Sequence, residues 1–213
     1  MSNYPITLVD LEQGAVVIGG GAVATRKVQG LLDADTHVTI ITPQCTRELE
    51  NLAHDPRVTL IRRAYQVGDL RNACVVIAAS DDPQVNQAVY DEARTRGILV
   101  NVADDPAHCT FHAPAVIRRG QIAIAISTGG ASPALARHLR QEIERTIGAE
   151  YEHLAELLAE LRPHVQTYVP RERREALWRE LIDVTLPLLR AGDENAARKE
   201  METIIQKAKG SER

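Results

Sequence analysis

Three glycines in a row, Gly19, Gly20 and Gly21, follow the β-branched run Val16-Val17-Ile18 and lead into a helix-forming segment at Ala22. Gly19, Gly21 and Ala24 spell G-x-G-x-x-A. In such a turn the first glycine permits a tight bend and the second lets the backbone approach a pyrophosphate. The small third residue lets the helix pack closely on the strand. The helix start offers free N–H groups and the positive end of a dipole to the phosphates. Alone the pattern is weak, but a strand before it and a helix after it, opening an α/β alternation, are the context that supports dinucleotide binding. The alternative is a glycine turn needed only for close packing. At the end of the second strand many NAD-binding folds carry an Asp or Glu for the ribose. This chain has Thr42-Pro43-Gln44 there, so the residues leave NAD against NADP open.

A second set lies in "VNVADDPAHCTFHAP", where the fifth apolar run ends. Ligands of doubly wound sheets bind outside the carboxyl ends of the strands, which places Asn101, Asp104 and Asp105 at the right edge. An aspartate beside a nicotinamide could accept a proton as a hydride leaves the neighbouring carbon. Asp104-Asp105-Pro106 could equally be only a turn. From Pro106 to Gln141 there is no Asp or Glu, yet Arg118, Arg119, Arg137 and Arg140 occur with His108, His112 and His138. This local positive region, with a helix start at Ser132, could receive a polycarboxylate or phosphate; the other reading is a solvated hairpin turn and helix face. His108 and His112 invite a metal reading with the aspartates. They fall on a loop and a strand start, however, and no Cys/His cluster has zinc spacing, so no fixed metal is expected.

These residues need elements to hold them. Apolar runs recur at Ala15–Ile18, Val38–Ile41, Val58–Ile61, Cys74–Ala79 and Ile98–Val102, as in strands buried on both faces of a parallel sheet. Helical spacing lies between several of them: Ala24, Val28, Leu31 and Leu32 share one face, and Val85, Ala88, Val89 and Ala93 another. The expected fold is α/β, an N-terminal Rossmann-like doubly wound parallel sheet over residues 1–112. A β-hairpin then joins "TFHAPAVI" to "QIAIAIS" through Arg118, Arg119 and Gly120. Ser132 as N-cap and Pro133 at the first position open a helix whose Leu135, Leu139, Ile143 and Ile147 share a face, with Gly148 as its stop. Residues 113–148 thus form a hairpin-and-helix region, and 149–213 a helical domain. In that domain Leu154, Leu157, Leu158, Leu161 and Val165 form a stripe broken by Pro163. Leu177, Trp178, Leu181 and Ile182 form a second stripe, and Met201, Ile204, Ile205 and Ala208 a third. The terminal "GSER" is expected to fray.

Composition sets outer limits. The chain has 213 residues, of which 44% are hydrophobic, enough for one well-buried core and a smaller appendage. A formal net charge of −4 and 3% aromatic residues argue against a nucleic-acid binder. No apolar run reaches membrane-spanning length, and no signal-peptide pattern opens the chain. Cys45, Cys74 and Cys109 form no CxxC pair, as expected for reduced thiols in the cytoplasm.

Four segments together carry a family resemblance: "YPITLVDLEQGAVVIGGGAVATRK", "VIAASDDPQVNQAV", "VNVADDPAHCTFHAPAVI" and "ISTGGASPALARHLRQEIE". They resemble the precorrin-2 dehydrogenase and sirohydrochlorin ferrochelatase family, the dehydrogenase module of siroheme synthases. The likeness is strong from Tyr4 to about Ile147 and looser beyond. It implies NAD-dependent oxidation of precorrin-2 to sirohydrochlorin, followed in some members by insertion of ferrous iron. The family's essential aspartate falls on Asp104, as general base. Cofactor contacts fall on Gly19, Gly21, Ala22 and Val23, and on Thr42, Pro43 and Gln44. Ser80, Asp81 and Asn86 lie beside the nicotinamide half. The substrate is rich in carboxylates, which directs Arg118, Arg119, Arg137 and Arg140, with Thr128 and Ser132, toward substrate binding. The family's homodimer, built through the hairpin and following helix, suits Ile122, Ile124, Leu135 and Leu139. The bacterial fused enzyme has a serine where this chain has Thr128. The methyltransferase domain of that enzyme is absent from the sequence, so a separate methyltransferase is expected to supply precorrin-2. The competing class is a non-catalytic NAD-sensing module; such domains usually keep an acid after the second strand and lack "STGGASP".

Overall fold

A computed structural model describes residues 4–9 and 11–210. The chain divides into two compact units, Met1–Ala113 and Pro114–Arg213. In the first unit the apolar runs become β1 (Ala15–Ile18), β2 (Val38–Ile41), β3 (Val58–Ile61), β4 (Val75–Ala78) and β5 (Leu99–Val102), with α1 (Ala22–Leu32), α2 (Arg47–Leu52) and α3 (Pro83–Arg96) between them. All five strands pair in parallel, in the order β3-β2-β1-β4-β5. This is the expected doubly wound sheet, and strand order reverses between β1 and β4, where such sheets form their crevice.

Alternate residues of β1 feed two cores. Val17 meets Ala24, Val28 and Leu32 of α1 in one cluster, while Val16 and Ile18 meet Val89 and Ala93 of α3 in the other. Burial on both faces is the reason the strands read as continuous apolar runs. The return from β3 to β4 contains no helix. It is tied down by Leu70, fully buried, and by Glu92 of α3, whose carboxylate accepts from Tyr65 Oη at 2.5 Å, Gly68 N at 2.9 Å and Arg96 Nε at 2.7 Å. Burial works against the ionised Glu92, yet those donors hold its pKa below the ordinary carboxylate value.

The second unit opens with an antiparallel pair, β6 (Ala115–Arg119) and β7 (Ile122–Ile126). The first strand starts later than expected, and Arg118 and Arg119 belong to it rather than to the turn. Gly120 makes the turn, with φ +52°. Four helices follow: α4 (Pro133–Thr146), α5 (Glu150–Tyr168), α6 (Arg171–Arg190) and α7 (Glu194–Gly210). Helix α5 runs unbroken through Pro163, contrary to the expected break. Leu154 and Leu157 before the proline and Val165 after it are buried in one cluster with α6 and α7, so packing on both sides outweighs the missing hydrogen bond. Ile182 lies outside its expected stripe, 36% exposed, while Thr185 takes an interior place. Gly210 closes α7; the rest of the expected frayed end lies outside the described residues.

Leu181 is fully buried at the centre of this bundle. Leu181→Ala is expected to cost about 2–5 kcal/mol, read as a lower urea midpoint of the bundle's unfolding by circular dichroism.

Candidate functional site

The carboxyl edge of the parallel sheet is built from backbone in unusually close approach. A Cβ on Gly19, whose φ is +125°, would lie 2.1 Å from the carbonyl oxygen of Ala79 at the end of β4. A Cβ on Gly20 would lie 2.0 Å from the carbonyl oxygen of Gln44 in the β2–α2 loop. Only glycine fits either place. Hydrogen bonds close the same seams: Gly19 N donates to Ile41 O, Ala79 N to Ile18 O, and Thr46 N to Gly20 O. Thr46 also caps α2 through Leu49 N, and its hydroxyl meets that of Thr25 at 3.0 Å.

Gly21 differs from its neighbours. A Cβ there would meet nothing within 4 Å, and its φ of −82° suits any residue. It is the N-cap of α1, with no side-chain cap and no acid in the first turn. The first-turn N–H groups, which include those of Ala22 and Val23, therefore lack a side-chain cap and have the helix dipole behind them. By contrast α2, α3 and α4 are capped by Thr46, Asp82 and Ser132. An uncapped helix start above a turn with open space at Gly21 fits a pyrophosphate.

Other expected cofactor residues take mixed places. Thr42 is buried and donates to Gln44 O at 2.6 Å, so it shapes the β2–α2 loop, while Pro43 and Gln44 are exposed. Asn86 pins the turn after β4: its side chain accepts from Ser80 N at 3.1 Å and donates to Ser80 O at 2.9 Å. The Ser80 hydroxyl accepts from Asp82 N, and Asp81 is exposed.

Asp104 follows β5 on the same edge. It is exposed and has φ +58°, a conformation that costs most side chains about 1–2 kcal/mol and that Asp tolerates. The loop beyond it holds it there. The Cys109 thiol bonds Val102 O at 3.3 Å and Asp105 O at 3.2 Å, and accepts from Asn101 Nδ2 and Val102 N. Asn101 also donates to Phe111 O. Burial, the largest influence, pushes the Cys109 thiol pKa up, as suits a neutral, structural group. His108 pairs through Nδ1 with Asp105 at 2.7 Å and stacks edge-on with Tyr90. Asp105 and His108 thus brace the loop, and among the described residues no three His, Cys, Asp or Glu side chains cluster as metal ligands.

Lys27 on α1 escaped the sequence reading. Burial first, then Arg26, lowers its ammonium pKa, while Cys109 and Asp104 act in the opposite direction. Its placement within electrostatic reach of Asp104 comes from α1 and the β5 loop meeting in space, and no local pattern marks it.

In the second unit the expected positive region is partly compensated. Glu144 of α4 pairs with Arg140 at 2.7 Å and with Arg119 at 3.6 Å. Arg118 and Arg137 are exposed and carry no ion pair among the described residues. Thr128 and Ser132 bond each other, Thr128 Oγ1 to Ser132 O at 3.1 Å and Ser132 N to Thr128 Oγ1 at 3.2 Å. They shape the loop of Gly129 and Gly130, both at positive φ. Leu135 and Leu139 of α4 are 48% and 38% exposed, and only Ala136 of that helix is buried.

Comparison with known proteins follows these divisions. Residues 8–115 match the family model described as putative NAD(P)-binding, 119–146 the sirohaem biosynthesis protein central model, and 150–205 the sirohaem synthase dimerisation region. The chain belongs to the putative NAD(P)-binding family of the first model, and its second unit matches the two sirohaem models. The siroheme synthase of Methylobacillus flagellatus is 36% identical over 207 residues, covering 96% of this chain and 44% of that protein. That of Methylococcus capsulatus is 40% identical over 184 residues, covering 86% and 39%. The chain thus spans less than half the length of these relatives. A solved structure of SirC, precorrin-2 dehydrogenase, superposes with a TM-score of 0.74 at 27% identity, covering 94% of this chain and 100% of that one. No described helix is long and apolar enough to cross a membrane.

The two outer glycines of the turn should separate stability from binding. Gly19→Ala is expected to lower the melting temperature through its clash and positive φ, at a cost on the order of 2–4 kcal/mol. Gly21→Ala should melt as wild type yet bind NADH at least about tenfold more weakly, measured by fluorescence titration.

Proposed function

We infer that the chain is an NAD-dependent dehydrogenase that oxidises precorrin-2 to sirohydrochlorin in siroheme biosynthesis. The observation that carries the reading is one sheet edge bearing both an uncapped helix start above a glycine turn and an exposed aspartate held at positive φ. NAD, when bound, supplies the nicotinamide that accepts a hydride. Gly21, Ala22 and Val23 hold the pyrophosphate on the turn that Gly19 shapes; Pro43 and Gln44 border the adenosine ribose, with Thr42 shaping their loop. Ser80, Asp81 and the turn pinned by Asn86 border the nicotinamide.

The oxidation removes a hydride from one carbon and a proton from its neighbour, forming a double bond. Asp104 takes that proton. Its exposed carboxylate suits the role, and the Cys109 and Asn101 bonds keep the loop from collapsing over it. Arg118 and Arg137 are the proposed carboxylate-binding residues, with Arg119 and Arg140 sharing Glu144 behind them. Thr128 and Ser132 shape the loop beside that arginine-bearing helix.

The sequence division at 112 and 148 is retained as a proposal: a dinucleotide-binding domain, a hairpin and helix, and a helical domain. A homodimer covers the exposed Leu135 and Leu139, and the match of 150–205 to a dimerisation region supports the same assembly. Cys45, Cys74 and Cys109, which form no disulfide among the described residues, fit a reducing cytoplasm. A methyltransferase supplies precorrin-2, and ferrous iron is a further substrate where insertion follows.

The test is anaerobic incubation with enzymatically generated precorrin-2 and NAD, following sirohydrochlorin absorption. Wild type should form product only with NAD, and Asp104→Asn, which keeps the tolerated backbone, should lose about 10²–10⁴ in kcat while binding NADH normally. NADH binding without any oxidation by wild type would leave the sensing-module reading in its place. Ferrous iron added to the wild-type reaction reports insertion by the appearance of sirohaem absorption.

A further inference from the structure

The end of β2 is where a doubly wound fold reads the adenosine ribose: an acid there binds the 2′-hydroxyl of NAD, and an arginine nearby receives the 2′-phosphate of NADP. This chain has no acid at Thr42, Pro43 or Gln44. The neighbouring strand supplies a charge instead. β3 pairs with β2 in register to Ile41 and Ile61, and Thr42 N donates to Ile61 O, so Arg62 leaves the sheet level with Thr42. Its side chain spans the β2–α2 loop, with Nη1 3.6 Å from Cys45 Sγ, the residue after Gln44, and Nη2 bonded to the carboxylate of Glu50 on α2. The two partners are half-exposed, 49% and 52%. Arg63 turns away to Asp69.

Arg62 alone would be a phosphate receptor, since a guanidinium pairs strongly with phosphate oxygens. Glu50 compensates that charge and presents a carboxylate to anything that approaches the guanidinium. A ribose hydroxyl tolerates such a pair; a 2′-phosphate must displace Glu50 and meets its repulsion. We propose that the Arg62–Glu50 pair sets the discrimination between NAD and NADP, with Glu50 excluding the 2′-phosphate by holding Arg62. This rests on the reading that the glycine turn binds a dinucleotide. An exposed ion pair contributes little to stability, so either partner can be replaced in the folded protein.

Affinities for NADH and NADPH, from fluorescence titration of the full chain, test the pair in wild type, Glu50→Gln, Arg62→Gln and the double variant. Wild type should bind NADH at least about tenfold tighter than NADPH. Glu50→Gln should tighten NADPH about tenfold, with NADH changed by less than about threefold. Arg62→Gln and the double variant should show no such gain. Unchanged NADPH affinity in Glu50→Gln, or a wild type that already prefers NADPH, overturns the proposal. A gain that survives in the double variant does so too, by assigning the phosphate to another cation such as Arg47. If wild type binds neither dinucleotide, the functional reading fails and takes the proposal with it. NADH binding without the NADPH response sinks the proposal alone.

Discussion

The close approach of backbone to backbone at the carboxyl ends of β1, β2 and β4 is the constraint on which the first unit depends. Ala79 O lies where a Gly19 side chain would be, and Gln44 O where a Gly20 side chain would be. Because neither glycine has a Cβ, three strand ends and the start of α1 converge, and the bonds from Gly19 N to Ile41 O and from Thr46 N to Gly20 O can form. At that convergence α1 starts without a side-chain cap, and the space a Gly21 side chain would fill is open. Gly19 and Gly20 are therefore structural necessities, whereas Gly21 is the one whose missing side chain keeps space clear for a ligand.

A second lock operates at β5. The Cys109 thiol, Asn101 and Thr110 tie the outgoing chain back to the strand it has left. With the loop held at both ends, Asp104 stays in a left-handed conformation and remains exposed. A neutral thiol suits this work, since burial disfavours its ionised form. This edge thus combines two turns of different chemistry, one of glycines and one of sulfur and amide hydrogen bonds. Turns tied down in this way suit the proposed proton and hydride transfer, where small errors of position are costly.

The second unit follows different physics. α5, α6 and α7 bury leucines, Val165 and Met201 against one another, whereas α4 leaves Leu135 and Leu139 in solvent. An amphipathic helix that leaves such leucines exposed is the usual mark of an association surface. Arg119 and Arg140 converge on Glu144. An acid-free stretch of sequence is therefore not an acid-free surface, because the compensating carboxylate lies just beyond it on the same helix.

Strand positions, the glycine turn and the Ser132-Pro133 helix start were legible in the sequence because each follows from local chemistry: unbroken apolar runs, residues without a Cβ, and a hydroxyl ahead of a proline. Motif resemblance directed attention to Asp104, whose spacing alone allowed either a turn or a base. Other features were decided only by tertiary structure. Pro163 stays helical because flanking residues are buried in a shared core, and Thr185 lies inside while Ile182 is exposed because helix packing, not hydropathy alone, selects the buried face. Lys27 meets the field of Asp104, and Arg62 reaches Cys45 and Glu50, across distances along the chain that no local pattern spans. Local periodicity encodes which elements form; the meeting of side chains from separate elements depends on how the sheet is ordered, and that order exists only in the folded molecule.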